Sequence, residues 1–214
     1  MDEDISIINS NTRNEKIKKF LINNKKILIT SLIFLIILII SFFGYKELKK
    51  EKIKEISDFY NSTIIEYLNV PKKKTVNSLI EIINEKNSTY SPLSLYFLID
   101  EDLVSSRKEM NVLFDVLINK TTLDKEIKYL VIYKKALYNA DKANEGELLE
   151  ILKPLLNSKS IWTSHGLYLI AEFFYSKNEK QKSKDFFNKI LELKNANQDI
   201  ILETKKRISR DFSD

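Results

Sequence analysis

Residues Ile27 to Tyr45 read ILITSLIFLIILIISFFGY, nineteen positions without a charged side chain. As a helix rising about 1.5 Å per residue, this run is roughly 28 Å long, close to the hydrocarbon thickness of a bilayer. A buried helix of a globular core is another reading, but it would rarely need so many consecutive Ile, Leu and Phe with no polar face. A secretory signal also joins a basic front to an apolar run, but it ends in a small-residue cleavage site; here Ser41, Phe42, Phe43, Gly44 and Tyr45 lead straight into Lys46. The pattern predicts a retained transmembrane helix over 27–45. A polar and basic tail precedes it over 1–26, and a charged helical domain follows over 46–214.

Charge barely orients the span. Fifteen residues on its N-terminal side hold six cations (Arg13, Lys16, Lys18, Lys19, Lys25, Lys26), against five on the C-terminal side (Lys46, Lys49, Lys50, Lys52, Lys54). The rule that cytoplasmic flanks are richer in Lys and Arg favours a cytoplasmic N-terminus only by that margin. Within the tail, Ile17, Phe20 and Leu21 share one side of a helix beside Lys16, Lys18 and Lys19. Two readings stay open there: a segment lying on the anionic membrane face, or a disordered stub.

The 169 residues after the span are enough for one domain with its own core. They carry 29 Lys and Arg against 26 Asp and Glu, net +3, with the signs interleaved. That is a solvated helical surface; a nucleic-acid footprint would cluster its cations. Zero cysteines exclude disulfides and thiolate metal sites. Three glycines and three prolines in the whole chain are too few for the turns of an all-β sandwich or barrel. Gly44, Gly146 and Gly166 are isolated, so no glycine-rich phosphate loop is present, and no cofactor or small-molecule substrate is expected.

The expected class is therefore all-α. Ile53, Ile56, Tyr60, Ile64 and Tyr67 continue a helix to about Asn69, where Pro71 and an exposed turn of Lys72, Lys73 and Lys74 break it. Val76, Leu79, Ile80 and Ile83 mark the next helix, ending near Lys86. Pro92 suits the first position of another, with Ser91 as its cap, running to about Val104. Further stripes lie at Met110, Leu113, Phe114 and Leu117, and from a cap at Asp124 through Ile127, Leu130, Val131 and Leu137 to Ala140. Asn139, Asp141 and Asn144 punctuate the end of that helix before a short one over 147–156, disturbed by Pro154. Short helices joined by tight turns must pair as antiparallel hairpins. Their number and brevity suit a helical solenoid better than a four-helix bundle.

A repeat is clearest from Ser164 to Asn197, thirty-four residues. A tetratricopeptide unit of that length sets small residues where two helices approach and aromatics where they fill the groove. Ala171, Phe174, Ser183 and Phe187 occupy those positions, with Lys177 and Asn178 at the intervening turn; Leu167 replaces the leading Trp and Asn195 a closing proline. Trp162 is expected to seal the join to the preceding hairpin.

On these residues, together with Thr89 to Leu95, Leu123 to Glu126 and Leu152 to Leu156 followed by Ile161 and Trp162, the chain resembles the bacterial single-pass membrane proteins with a tetratricopeptide-like domain, related to YfgM, the ancillary subunit of the Sec translocon. The resemblance implies an inner-membrane protein with its N-terminus in the cytoplasm and its helical domain in the periplasm. It further implies partners among Sec translocon subunits and periplasmic chaperones.

No residues form a catalytic constellation. His165 is the only histidine and suits a helix start or a packing role. Asp100, Glu101 and Asp102 diverge around a helix and read as a solvated end. The expected function is a membrane-anchored protein–protein interaction scaffold, not an enzyme, with Tyr133, Tyr168 and Tyr175 as candidate residues of a partner-binding groove. The alternative is a structural adaptor of another envelope assembly, in division or outer-membrane biogenesis.

Overall fold

Every element among the described residues is helical, and none is a strand. The structure is a computed structural model that describes residues 15–212. The acidic start at Asp2, Glu3 and Asp4 lies outside the described residues, as does Arg13. The chain divides into two units, one ending at Glu55 and the other beginning at Ile56.

In the first unit, α1 (residues 15–23) is followed after a turn at Asn24 by α2 (Lys25–Glu66). This second helix is long and apolar enough to cross a membrane. All side chains over 27–45 are exposed, so among the described residues of this unit nothing covers the apolar run. Thr30 is internally satisfied: its hydroxyl reaches the carbonyls of Lys26 and Ile27, each at 3.0 Å. That is the arrangement a hydroxyl needs where no water is available.

The second unit begins with the last turns of α2, from Ile56. A short 3₁₀ turn (Tyr67–Asn69) leads to α3 (Lys72–Asn84), α4 (Tyr90–Asp100) and α5 (Arg107–Lys120). Then come α6 (Lys125–Asn139), α7 (Glu145–Leu156), α8 (Thr163–Ser176), α9 (Lys180–Glu192) and α10 (Gln198–Asp211). From α3 onward each helix packs on its successor, and three also pack on the helix after next: α3 on α5, α6 on α8, α8 on α10. The apolar interior is accordingly strung out in chain order. One cluster centres on Leu79, Leu98 and Phe114, the next on Ile132, Leu152 and Phe174, the last on Ala171, Phe187 and Ile190.

Local chemistry sets the boundaries. The Ser106 hydroxyl caps α5 through the Glu109 N–H, the Asp124 carboxylate caps α6 through Glu126, and Asn197 caps α10 through Asp199 and Ile200. Asn144 and Glu147 form a reciprocal capping box at α7. With so few glycines, left-handed turn positions fall to Lys86, Asp102 and Asn178, at φ of 54°, 46° and 60°. Gly166 has a different role: a Cβ there would lie 3.1 Å from a Leu155 methyl, so its hydrogen lets α8 press against α7.

Three sequence expectations are corrected. Lys72, Lys73 and Lys74 form the first turn of α3 rather than a loop, although cations are disfavoured at a helix N-terminus. Burial of Thr75, Leu79, Ile82 and Ile83 outweighs that cost by extending the helix back to Pro71. Ser91 does not cap α4. The helix starts at Tyr90, where the Asn87 side-chain oxygen accepts from the N–H groups of Thr89 (2.9 Å) and Tyr90 (3.0 Å). Ser91 instead donates to the Ile82 carbonyl at 2.7 Å, tying α4 to α3. Finally, α4 stops at Asp100 rather than near Val104, because Asp102 turns left-handed and the Leu103 N–H closes back on the Leu98 carbonyl at 3.0 Å.

Candidate functional site

The α8–α9 hairpin is the most extensively packed pair of helices in the protein, and small residues allow it. Ala171 and Ser183 are both fully buried where the helices meet, and the Ser183 hydroxyl donates to the Ala171 carbonyl at 2.8 Å. Phe174 and Phe187 are buried on either side of this contact. Phe174 stacks on Phe186 at 5.5 Å, and Phe187 meets Tyr168 edge-on at 5.4 Å. The four residues of the repeat pattern thus gather at one hairpin.

At the start of α8, Trp162 stacks nearly parallel on Tyr133 of α6, with centroids 6.1 Å apart, and lies 4.9 Å from the His165 ring. Tyr133 meets His165 edge-on at 5.6 Å. Trp162 therefore bridges the N-terminal end of α8 to α6. Burial pushes the His165 imidazole below its ordinary pKa, the Ile161 backbone acting in the opposite sense. Its Nδ1 is buried without a hydrogen bond of good geometry.

The outer face of α8 meets α10. The Arg207 guanidinium forms a two-pronged pair with Glu172, Nε to Oε1 at 2.7 Å and Nη2 to Oε2 at 2.8 Å, and lies 4.4 Å over the Tyr175 ring. Asp211, one turn on, also accepts from Arg207. Phe212 packs edge-on against Tyr175 at 5.7 Å and against Phe187 at 5.9 Å. Burial, reinforced by the negative charges of Glu172 and Glu203 and opposed by Arg207, pushes the Tyr168 phenol up to about 12.

The three tyrosines named from sequence have different neighbours. Tyr133 belongs to the aromatic cluster with Trp162 and His165, while Tyr168 and Tyr175 lie on the α9 and α10 side of α8. What remains open beside them is a cleft of about 350 Å³ between the end of α6 and α8, lined by Ala140, Asp141, Leu169, Glu172, Phe173, Ser176 and Lys177. Both charge signs occur on its wall, and Glu172 is already held by Arg207.

Two constellations escape a reading along the chain. Asn139 is fully buried at the end of α6: its oxygen accepts from Arg107 Nε at 2.7 Å and from the Asn111 amide at 2.9 Å, and its own amide donates to Asn111 and to the Lys135 carbonyl. The other is the Arg207–Glu172 pair. One signal was available for both. Only four of the 35 cationic side chains are arginine, and Arg107 and Arg207 sit where a planar fork is needed and a lysine point charge would not serve.

Among the described residues, no group of three or more His, Cys, Asp or Glu is arranged to hold a metal ion. No family model, curated protein or solved structure matches this chain.

Proposed function

We propose that this protein is a membrane-anchored scaffold for protein–protein interaction, with α2 crossing a membrane over 27–45 and the helices from Ile56 onward forming a tetratricopeptide-like stack of hairpins. The carrying observation is the pattern of packing: successive helices pair from α3 onward, three pairs of helices two apart also pack, and the core is strung in chain order. Stacks of this kind present a long surface suited to a peptide or partner helix. The gathering of Ala171, Ser183, Phe174 and Phe187 at one hairpin supports the tetratricopeptide comparison. In this reading the protein binds and does not catalyse.

The resemblance noted in the sequence suggests the bacterial inner membrane, with the N-terminus cytoplasmic and the stack periplasmic, beside the Sec translocon and its chaperones. A photo-crosslinker placed at Leu137 or Tyr133 in native membranes should capture a Sec subunit or a periplasmic chaperone. Capture of division or outer-membrane assembly proteins would move the protein to the alternative envelope-adaptor role, and no specific capture would overturn the scaffold. A reporter active only outside the cytoplasm, fused after Asp214, tests orientation separately. Silence there would overturn the periplasmic placement.

A further inference from the structure

We infer that α1 is an interfacial helix that binds the anionic phospholipid surface of the leaflet from which α2 enters the membrane. This rests on the reading of α2 as a span.

Residues 15–23 form a helix of their own, and the turn at Asn24 separates them from α2. Around that helix Ile17, Phe20 and Leu21 fall within an arc of roughly 100°. They are 49%, 59% and 49% exposed, so among the described residues of this unit nothing covers the stripe. Ile22 falls outside the arc. Lys16 and Lys18 flank the stripe on its two sides, Lys19 lies on the opposite face, and Lys25 and Lys26 follow at the mouth of the span; within 15–26 the only acid is Glu15.

The occupant follows from position and charge. The apolar run begins at Ile27, so the stripe lies within a few residues of the hydrocarbon edge. A short apolar face rimmed by lysines is suited to lie at the headgroup boundary, its side chains sunk among acyl chains and its ammonium groups against phosphates. A protein partner would have to reach the same place through the headgroups; the lipid is already there.

The junction between the two helices falls at Asn24. Its N–H and its side-chain amide both donate to the Phe20 carbonyl, each at 3.0 Å, closing the last turn of α1, and its own carbonyl accepts from Leu28 at 2.9 Å. The two helices therefore meet at one residue whose own N–H and carbonyl are both satisfied.

The chain has no cysteine, so single cysteines can carry an environment-sensitive fluorophore in the full-length protein. Phe20→Cys reports the apolar stripe, Lys19→Cys the opposite face and Leu35→Cys the span. The proteins are reconstituted in phosphatidylcholine vesicles with or without phosphatidylglycerol. The expected result is a blue-shifted, lipid-quenched signal at position 20 only in the anionic vesicles, with position 19 remaining in water. High salt, or the combined Lys16→Gln, Lys18→Gln and Lys19→Gln variant, should abolish the shift. The same signal at position 20 in neutral and anionic vesicles, with position 35 buried, would overturn the anionic-surface proposal and leave the span intact. A water-exposed position 35 would overturn both.

Discussion

The Ser183 hydroxyl lies 2.8 Å from the Ala171 carbonyl, and neither residue has any exposed surface. A hydroxyl at this distance from the next helix's backbone requires that both facing side chains be small. Ala171→Leu should therefore force α8 and α9 apart and destabilise the domain by about 1–3 kcal/mol, as overpacking does. Ser183→Ala keeps the space and loses only the hydrogen bond, a cost of about 1 kcal/mol. Denaturation of the full chain in detergent, followed by the fluorescence of its single tryptophan, would rank them; equal effects would contradict the close-approach argument.

Arg207 fastens α10 to α8. Its side chain is 10% exposed, whereas its partner Glu172 is 35% exposed, so solvent screens part of the pair. Arg207→Ala should cost about 1–3 kcal/mol, the range for leaving hydrogen-bonding partners unsatisfied, with the exposed side of the pair keeping it towards the lower end. Arg207→Lys should recover little, since an ammonium cannot reproduce the fork. Hydrogen exchange should quicken across 198–211 and stay unchanged in α3 to α5.

His165 makes stability depend on acidity. Its folded pKa lies below the ordinary imidazole value, so in the window beneath about 6.5 the unfolded chain binds the proton more readily. Stability should be intact above that window and fall as pH drops through it. His165→Phe should flatten this fall; an unchanged acid limb in the variant would count against the assignment.

Tyr96 carries a buried hydroxyl without a partner, and burial pushes its phenol up to about 12. Tyr96→Phe should leave stability unchanged or raise it by up to about 1 kcal/mol, because no hydrogen bond is lost. With Tyr168 raised in the same direction, the wild type should hold its stability below pH 10 and lose it as the pH climbs from 10 towards 12. Removing Tyr96 should weaken that alkaline loss in a pH titration of unfolding.

Lys86 and Asp102 occupy left-handed backbone at φ of 54° and 46°. Relieving the Cβ clash by Lys86→Gly or Asp102→Gly should offset the entropy that glycine adds to the unfolded chain, leaving a gain of up to about 1 kcal/mol. Thermal unfolding would check the sign. Glycine at Asn178 should gain less, since asparagine tolerates this region.

Much of this architecture was legible along the chain. The run at 27–45 needed no tertiary information, because length and purity alone decide whether a helix can sit in hydrocarbon. The helical stripes were readable because amphipathicity is a local periodicity, and caps such as Asp124 because their hydrogen bonds close within a few residues. Ser91 shows the limit: its spacing before Pro92 suited a cap, but its hydroxyl is taken by Ile82, nine residues back on another helix.

By itself, then, the sequence determined an apolar helix long enough for a membrane, an all-helical remainder, and small residues at Ala171 and Ser183 where two helices must come close. Only the tertiary structure decided that Asn139, where α6 stops, is also a buried clamp, and that Arg207 brings α10 against Glu172 and Tyr175. The physical reason is range. Periodicity and capping report energies settled within one or two turns, whereas a buried amide or a guanidinium fork takes its role from partners about thirty residues away, placed by the packing of every helix between.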